Sequence, residues 1–274
     1  MMKKRRISAG YAAVIVSALA MLFFELAKIS FSDDETISGI INMVITRGLG
    51  SLMFVILVFS LGYRITNPLI KPRGRSLLFI LPCLMVVVNN LPIIALASGN
   101  AYLAYPPAAV LLFALECLFV GMFEELAFRG VFFLIILEGR RTTKKQIFIS
   151  TVVSSAVFGG VHLFNLIAGA GPGAVIFQIG YSFLIGGMCA VVLLKTKNIW
   201  LCVLLHAVYN FCGTLVPTLG GFKSGGQWDP ATIAITALLS VAVAAHIILA
   251  LVRINPGDIE DIFPSKTEGG ASCV

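Results

Sequence analysis

Three groups of polar residues lie within long apolar stretches, where ionisable side chains are costly unless they are paired or face a wet cavity. A carboxylate and an imidazole can together activate a water molecule, and a second imidazole with a carboxamide can donate hydrogen bonds to an oxyanion. The residue types therefore favour hydrolytic chemistry within an apolar protein. In chain order the groups are Glu124-Glu125 with Arg129, then His162, then His206 with Asn210.

Glu124, Glu125 and Arg129 face different directions if the segment around them is helical. Glu125 and Arg129 are four residues apart and share a face, which suits an ion pair. Glu124 points about 100° away from Glu125 and about 140° away from Arg129 on a helix with 3.6 residues per turn. We therefore expect Arg129 to neutralise Glu125 and to leave Glu124 free as a general base. The alternative is a purely structural charge cluster near the membrane face.

The motif around His162 also has helical spacing. Phe158 and His162 are four residues apart and therefore share a face. The pair Gly159-Gly160 between them permits another helix to approach closely. A lone histidine in a helix is more often a hydrogen-bonded core residue, so this motif by itself is weak evidence.

His206 and Asn210 are one helical turn apart, so both can direct hydrogen-bond donors at one point. Packing alone would also explain this pair. His246 has no comparable companion, and we interpret it as structural. The three motifs carry more weight together than singly, because between them they supply every group that a water-activating site needs.

The segments that carry these residues are far too apolar for a soluble domain. Of the 274 residues, 58% are hydrophobic and 12% are charged, and the mean hydropathy is +0.98. Since a backbone exposed to lipid must satisfy its own hydrogen bonds, we expect an all-α, polytopic transmembrane helix bundle of about eight spans. The predicted spans are Ser8–Leu26, Ile41–Tyr63, Leu77–Ala97, Ala108–Leu137, Gln146–Leu166, Ala174–Leu194, Ile199–Leu215 and Thr232–Leu251.

The net charge of +7 is distributed in a way that indicates membrane topology and argues against a nucleic-acid partner. Most of the 20 basic residues precede the first predicted span or follow the second, fourth, sixth and eighth spans. The opposite side carries the acidic run Asp33-Asp34-Glu35. This alternation follows the positive-inside rule and predicts that both termini are cytoplasmic.

The chain divides into three regions by the placement of its motifs. Residues 1–107 hold N-terminal transmembrane helices, residues 108–216 hold the catalytic core helices, and residues 217–274 hold the last span and a cytoplasmic tail. The predicted fourth span would be about 45 Å long as a straight helix, so part of it must kink or leave the bilayer. The six cysteines form no CxxC pair, and we interpret them as small buried hydrophobic residues.

The three motifs are predicted to lie at different depths. Measured along straight helices from the basic loops, His162 lies about 26 Å in, Glu124 about 20 Å and His206 about 12 Å. They can meet only if the fifth helix begins in the cytosol or the spans tilt strongly.

In order and spacing, the motifs resemble those of the CPBP or Abi group of intramembrane proteases, which is typified by the type II CAAX prenyl endopeptidases. The family patterns EExxxR, FxxxH and HxxxN are all present in this chain. The resemblance implies an intramembrane endopeptidase that acts on a peptide or protein substrate at the lipid bilayer. It also implies a multi-pass protein of the cell membrane, and a chain this compact is typical of prokaryotic members.

The resemblance further implies a role for each motif residue. It makes Glu124 and His162 the pair that activates water, and His206 and Asn210 the pair that stabilises the oxyanion. We expect no cofactor because the chain lacks an HExxH pair, with zinc held by Glu124, His162 and His206 as the alternative. The supporting residues are Glu125, Arg129 and Phe158.

Three other functions remain open at this point. A member of the family could keep the scaffold as a non-catalytic immunity or binding protein. A b-haem carrier could use His162 and His206 as axial ligands, although this leaves the glutamate pair unexplained. A transporter would use the membrane carboxylates for protons, but the chain shows no inverted repeat.

Overall fold

The computed structural model describes residues 15–264, except for 17–18, 25, 28, 67–72, 168, 225 and 227–228. About half of the predicted first span, Ser8–Leu26, lies outside the described residues, and so do the last ten residues of the chain. The rest of the chain is predominantly helical, so the structure fits the all-α fold class.

Helices dominate the described chain, and a two-stranded sheet is the exception. A π-helix, Leu126–Phe133, directly follows the α-helix that ends at Glu125, and a 3-10 turn, Val161–Leu163, follows the one that ends at Gly160. Strands β1 (Ala101–Leu103) and β2 (Gly220–Phe222) pair antiparallel. The helices are α1 (Glu35–Leu61), α2 (Arg73–Val88), α3 (Ile93–Ala97), α4 (Pro107–Glu125), α5 (Leu134–Glu138), α6 (Lys144–Gly160), α7 (Phe164–Ile167), α8 (Pro172–Thr196), α9 (Ile199–Leu219) and α10 (Pro230–Val252), followed by 3-10 turns at Pro256–Asp258 and Glu260–Ile262.

Several helices begin where local sequence dictates. Asp34 caps α1 by accepting a hydrogen bond from the backbone N–H of Ile37. Thr143 and Gln146 form a capping box at the start of α6. Asn198 caps the start of α9 by accepting a hydrogen bond from the backbone N–H of Trp200. Only two residues therefore separate α9 from α8, which ends at Thr196. The caps of α6 and α9 fix the starts of two helices that carry motif residues.

The predicted third span, Leu77–Ala97, is divided in two. Helix α2 ends at Val88, and the short helix α3 begins only after Pro92. A proline disfavours helical backbone in the residue before it, which accounts for the break. Pro82, in contrast, lies inside α2 without ending it. The expectation of one continuous helix was therefore wrong beyond Val88.

The predicted fourth span, Ala108–Leu137, is a continuous helical segment that changes type. It runs as α4 to Glu125, as the π-helix to Phe133, and as α5 to Glu138. The change of helix type falls directly after Glu124-Glu125 and includes Arg129. Such π-helical turns are often found at functional sites.

Close helix packing brings the motif helices together. Helix α4 packs against α1 and α9, and α6 packs against α8. A Cβ added at Gly121 of α4 would lie 3.0 Å from the backbone nitrogen of Ala207, so α4 and α9 approach almost backbone to backbone. The core centres on α8, whose residues 188–194 are all buried. Strand β1 lies just before α4 and strand β2 directly follows α9, so their pairing joins the start of α4 to the end of α9.

Five of the described helical segments are long and apolar enough to cross a membrane: Glu35–Leu61, Lys144–Ile167, Pro172–Thr196, Ile199–Leu219 and Pro230–Val252. Many large apolar side chains on these helices face outward, as with Ile167, Phe177 and Leu238. A soluble surface would not expose so many, so the outward faces suit contact with lipid. The protein is a multi-pass membrane protein, and the count of eight spans and the cytoplasmic termini stay predictions.

Candidate active site

A cavity of about 330 Å³ collects the motif residues from three parts of the chain. Glu124 reaches it from α4, and Phe158 and His162 reach it from the end of α6 and the turn that follows. His206 and Asn210 reach it from α9. The structure therefore brings together all four residues predicted to be catalytic.

The neighbouring glutamates have opposite environments. The side chain of Glu125 is completely buried, whereas that of Glu124 is 22% exposed and lines the cavity. Arg129 donates from Nη1 to Oε1 of Glu125 at 3.0 Å, and its side chain is 1% exposed. The division of the pair into one ion-paired and one cavity-facing carboxylate, predicted from helix phase, matches this geometry. It persists although Arg129 lies in π-helical backbone.

His206 lies between the two glutamates, an arrangement that helix phase did not predict. Its Nδ1 is 2.7 Å from Oε1 of Glu125, and its Nε2 is 3.5 Å from Oε2 of Glu124. Because each ring nitrogen faces a carboxylate, the orientation of the imidazole is fixed. Glu125 therefore contacts both Arg129 and His206, and it positions a cavity residue as well as neutralising a charge.

The ring of Phe158 contacts both imidazoles and also Arg129 of the buried ion pair. It makes edge contacts with His162 and His206, at centroid distances of 5.6 and 5.9 Å. The guanidinium carbon of Arg129 lies 4.1 Å from the same ring centroid, a cation–π contact. The aromatic ring of the second motif thus holds both histidines and covers Arg129.

His162 follows α6 in a 3-10 turn rather than in a regular helix. Helix α6 ends at Gly160, and a Cβ at Gly159 would lie 2.8 Å from the carbonyl oxygen of Ile179 on α8. A Cβ at Gly160 would meet nothing within 4 Å, so only the first glycine of the pair is a contact point. His162 lines the same cavity as Glu124 and His206 despite the different depths that straight helices predict.

Asn210 lines the cavity one turn beyond His206, as its spacing predicts. Its backbone carbonyl accepts a hydrogen bond from the hydroxyl of Thr214. His246 lies elsewhere: its Nε2 is 3.0 Å from the carbonyl oxygen of Phe79, and its ring stacks near that of Phe79. This environment is consistent with a structural role for His246.

The residues whose possible metal-ligand atoms lie closest together are not Glu124, His162 and His206, the alternative zinc ligands. In the described chain, Glu125, Cys189 and Cys202 are the one set of three whose ligand atoms all lie within 4.8 Å of one another. The set fits a metal poorly, because Oε1 of Glu125 already contacts Arg129 and His206. The thiol of Cys202 also donates to the carbonyl of Cys189.

Sequence reasoning missed several cavity residues, of which Glu116 has an ionisable side chain. Glu116, Val120 and Glu124 line the cavity at intervals of four residues on α4. That interval was visible in the sequence and was the signal that could have revealed Glu116. Gln178, Tyr181 and Tyr209 also line the cavity and belong to no motif.

Comparison with known proteins matches the same part of the chain. Residues 106–212 match the model of the Rce1-like family, the type II CAAX prenyl endopeptidases. The resemblance is confirmed over this segment, which runs from the start of α4 into α9 and holds all three motifs. No curated protein and no solved structure matches the chain. The Rce1-like family is a family of peptidases, so a hydrolytic role for the cavity is supported at that level.

Proposed function

We propose that the protein is an intramembrane endopeptidase that hydrolyses a peptide bond of a substrate at the membrane. Four polar side chains from three separate parts of the chain line one cavity, and this single observation carries the proposal. Each belongs to a motif of the Rce1-like segment. We further propose that the protein lies in the plasma membrane of a prokaryote.

Glu124 and His162 are proposed to activate the water. Both line the cavity, and Glu124 is the glutamate that the ion pair with Arg129 leaves available. As the water oxygen bonds to the scissile carbonyl carbon, its proton passes to this pair. The pair then delivers a proton to the departing amine as the carbon–nitrogen bond breaks. One carboxylate thereby serves first as base and then as acid.

His206 and Asn210 are proposed to stabilise the oxyanion. The Nδ1 of His206 is held against Glu125, and this leaves Nε2 directed toward Glu124 and the cavity. In the imidazolium form both nitrogens carry protons, so Nδ1 donates to Glu125 while Nε2 donates into the cavity. The carboxamide of Asn210 supplies a second N–H donor. Two such donors match the negative charge that develops on the carbonyl oxygen.

The proposal requires no metal ion. Zinc held by Glu124, His162 and His206 would require their ligand atoms to converge, and they are not within 4.8 Å of one another as a set. The b-haem alternative is disfavoured because both ring nitrogens of His206 face carboxylates. A non-catalytic binding protein would retain the cavity without needing its water-activating pair.

The test is cleavage of a membrane-anchored reporter peptide by the full chain in proteoliposomes. We expect Glu124→Ala and His162→Ala each to lower kcat by about 10²–10⁴-fold, the usual contribution of general acid–base catalysis. Asn210→Ala should lower kcat by about 10²-fold or more, as for the loss of one oxyanion donor. His246→Ala is the matched control, since this histidine lies outside the cavity.

Unchanged cleavage by both Glu124→Ala and His162→Ala would refute the assignment of the water-activating pair. Loss of activity with a zinc chelator, restored by added zinc, would replace the metal-free mechanism with a metal-dependent one. Absence of cleavage by the wild-type chain against a broad peptide set would favour the binding protein.

A further inference from the structure

The cavity contains a second carboxylate that the proposed chemistry does not use. Glu116 lies eight residues before Glu124 on α4, about 12 Å along the helix axis. It is partly buried and lines the cavity. It makes no hydrogen bond or ion pair with any residue that the structure describes. An unpaired carboxylate within an apolar helix is costly, so its presence points to a partner beyond the described residues, and a bound peptide can supply one.

Apolar residues flank Glu116 on its own helix. Phe113 and Cys117 lie beside it in the sequence of α4, and both line the cavity together with Met43 and Thr214. A carboxylate flanked by apolar side chains suits a ligand side chain that has an aliphatic stem and a cationic tip. Lysine and arginine have that form, because they bury the stem along apolar surface and direct the charge to a polar group.

A larger acidic cavity adjoins the first. It has a volume of about 970 Å³ and is lined by Asp33 and Glu35, at the start of α1. Met43 lines both cavities and is therefore their shared wall. None of the described residues lining either cavity is lysine or arginine. Negative potential in a cleft raises the local concentration of cationic ligands.

The two cavities follow one another from one end of the helix bundle inward. The hydroxyl of Tyr105, just before α4, donates to the carboxylate of Asp34, just before α1. Helices α1 and α4 therefore start at the same end, and Glu116 is nearer that end than Glu124. A cationic segment entering there would pass Asp33 and Glu35 before it reaches Glu116. Arg47 of α1 does not interrupt this path, since its guanidinium lies over the ring of Phe123 and lines neither cavity.

We propose that Glu116 forms a substrate subsite that binds a lysine or arginine side chain of the peptide being cleaved. The inference rests on the proposed peptidase function and adds the class of side chain that the site selects. An extended peptide advances about 3.3 Å per residue, and a lysine side chain has some reach of its own. The bound cation therefore lies about two to four residues from the scissile bond.

The test uses the full chain in proteoliposomes and a set of internally quenched peptides that carry one lysine moved position by position across the cleavage site. Each peptide is compared with its lysine-to-alanine partner as a ratio of kcat/KM within one variant, so a loss of folded protein cancels. In the wild type we expect a lysine preference of about tenfold at one position, the value of a charge-assisted hydrogen bond. Glu116→Gln should bring that ratio close to one, and Glu116→Lys should transfer the preference to a glutamate-containing peptide.

Glu138→Gln is the matched control, because Glu138 is at the far end of α5 and does not line either cavity. It should keep the lysine preference. Retention of that preference in Glu116→Gln would refute the subsite while the peptidase function stands. If Glu116→Gln lowers kcat/KM equally for both peptides of a pair, Glu116 has a structural role, and this result would also refute the subsite. A wild-type chain that cleaves no peptide of the set would refute the subsite together with the peptidase function.

Discussion

The two faces of α4 accommodate charge in opposite ways. The cavity face carries Glu116 and Glu124, and both side chains are partly exposed. None of the described residues that line this cavity is lysine or arginine. The packed face carries Glu125, which is fully buried against Arg129 and His206. One residue of offset along a helix, about 100°, moves a carboxylate from the first environment to the second. Adjacent residues of the same type can therefore have unrelated roles.

The packed face is built to exclude water. The side chains of Glu125 and Arg129 are 0% and 1% exposed, and Phe158 covers the guanidinium. Helix α8 approaches so closely that a Cβ at Gly186 would lie 2.7 Å from Nη2 of Arg129. A charge held in such a place depends on its partner, because removing one member leaves the other buried and uncompensated. Charges on the cavity face lack that dependence.

The largest effect on stability should come from breaking the buried pair. Arg129→Met leaves Glu125 without its cation, and we expect a loss of about 3–5 kcal/mol in the free energy of unfolding. The apolar double variant Glu125→Leu/Arg129→Met should recover more than half of that loss. Unfolding by SDS in mixed micelles measures both. Glu124→Gln is the control for the cavity face and should change the free energy by less than about 1 kcal/mol.

A single-variant loss below about 1 kcal/mol for Arg129→Met would show that the pair is effectively solvated. An equally large loss in Glu124→Gln would abolish the distinction between the two faces.

The contact of α6 with α8 should give an intermediate effect. A Cβ at Gly159 meets the backbone oxygen of Ile179 at 2.8 Å, and backbone cannot move aside as a side chain can. We expect Gly159→Ala to cost about 1–3 kcal/mol and to lower activity, because α6 carries His162 into the cavity. The matched control is Gly160→Ala, whose Cβ meets nothing within 4 Å. Equal melting temperatures for the two variants would contradict this account of the interface.

The smallest of these effects should come from Phe158, which lines the cavity and also covers the guanidinium of the buried pair. Phe158→Leu removes the ring under Arg129 and between the imidazoles, and we expect a loss of about 1–2 kcal/mol of stability. Turnover should fall more than KM changes, because the imidazoles lose their alignment. Phe128→Leu is the control: its ring contacts that of Phe158 at 4.9 Å but does not line the cavity. A larger loss of turnover in Phe128→Leu than in Phe158→Leu would contradict the proposal that Phe158 aligns the two imidazoles.

The sequence alone was sufficient for the membrane bundle and for much of the site. Composition excludes a soluble fold, and the 3.6-residue period separates Glu124 from Glu125 and pairs Phe158 with His162. These inferences hold because they depend on local backbone geometry, which few other contacts can override. Glu116 had the same local signal, since it is two turns from Glu124, but it lies outside the three motifs.

Tertiary packing decided the rest. Only the approach of α4 and α9 at Gly121 places His206 between two glutamates, and no spacing along one helix can encode a contact across 81 residues. The placement of His162 in the same cavity as Glu124 likewise depends on the end of α6 at Gly160 and on the packing of α6 against α8. The sequence determined which face each side chain occupies, because helix phase is local. The structure decided which faces meet, because that depends on how closely two backbones can approach.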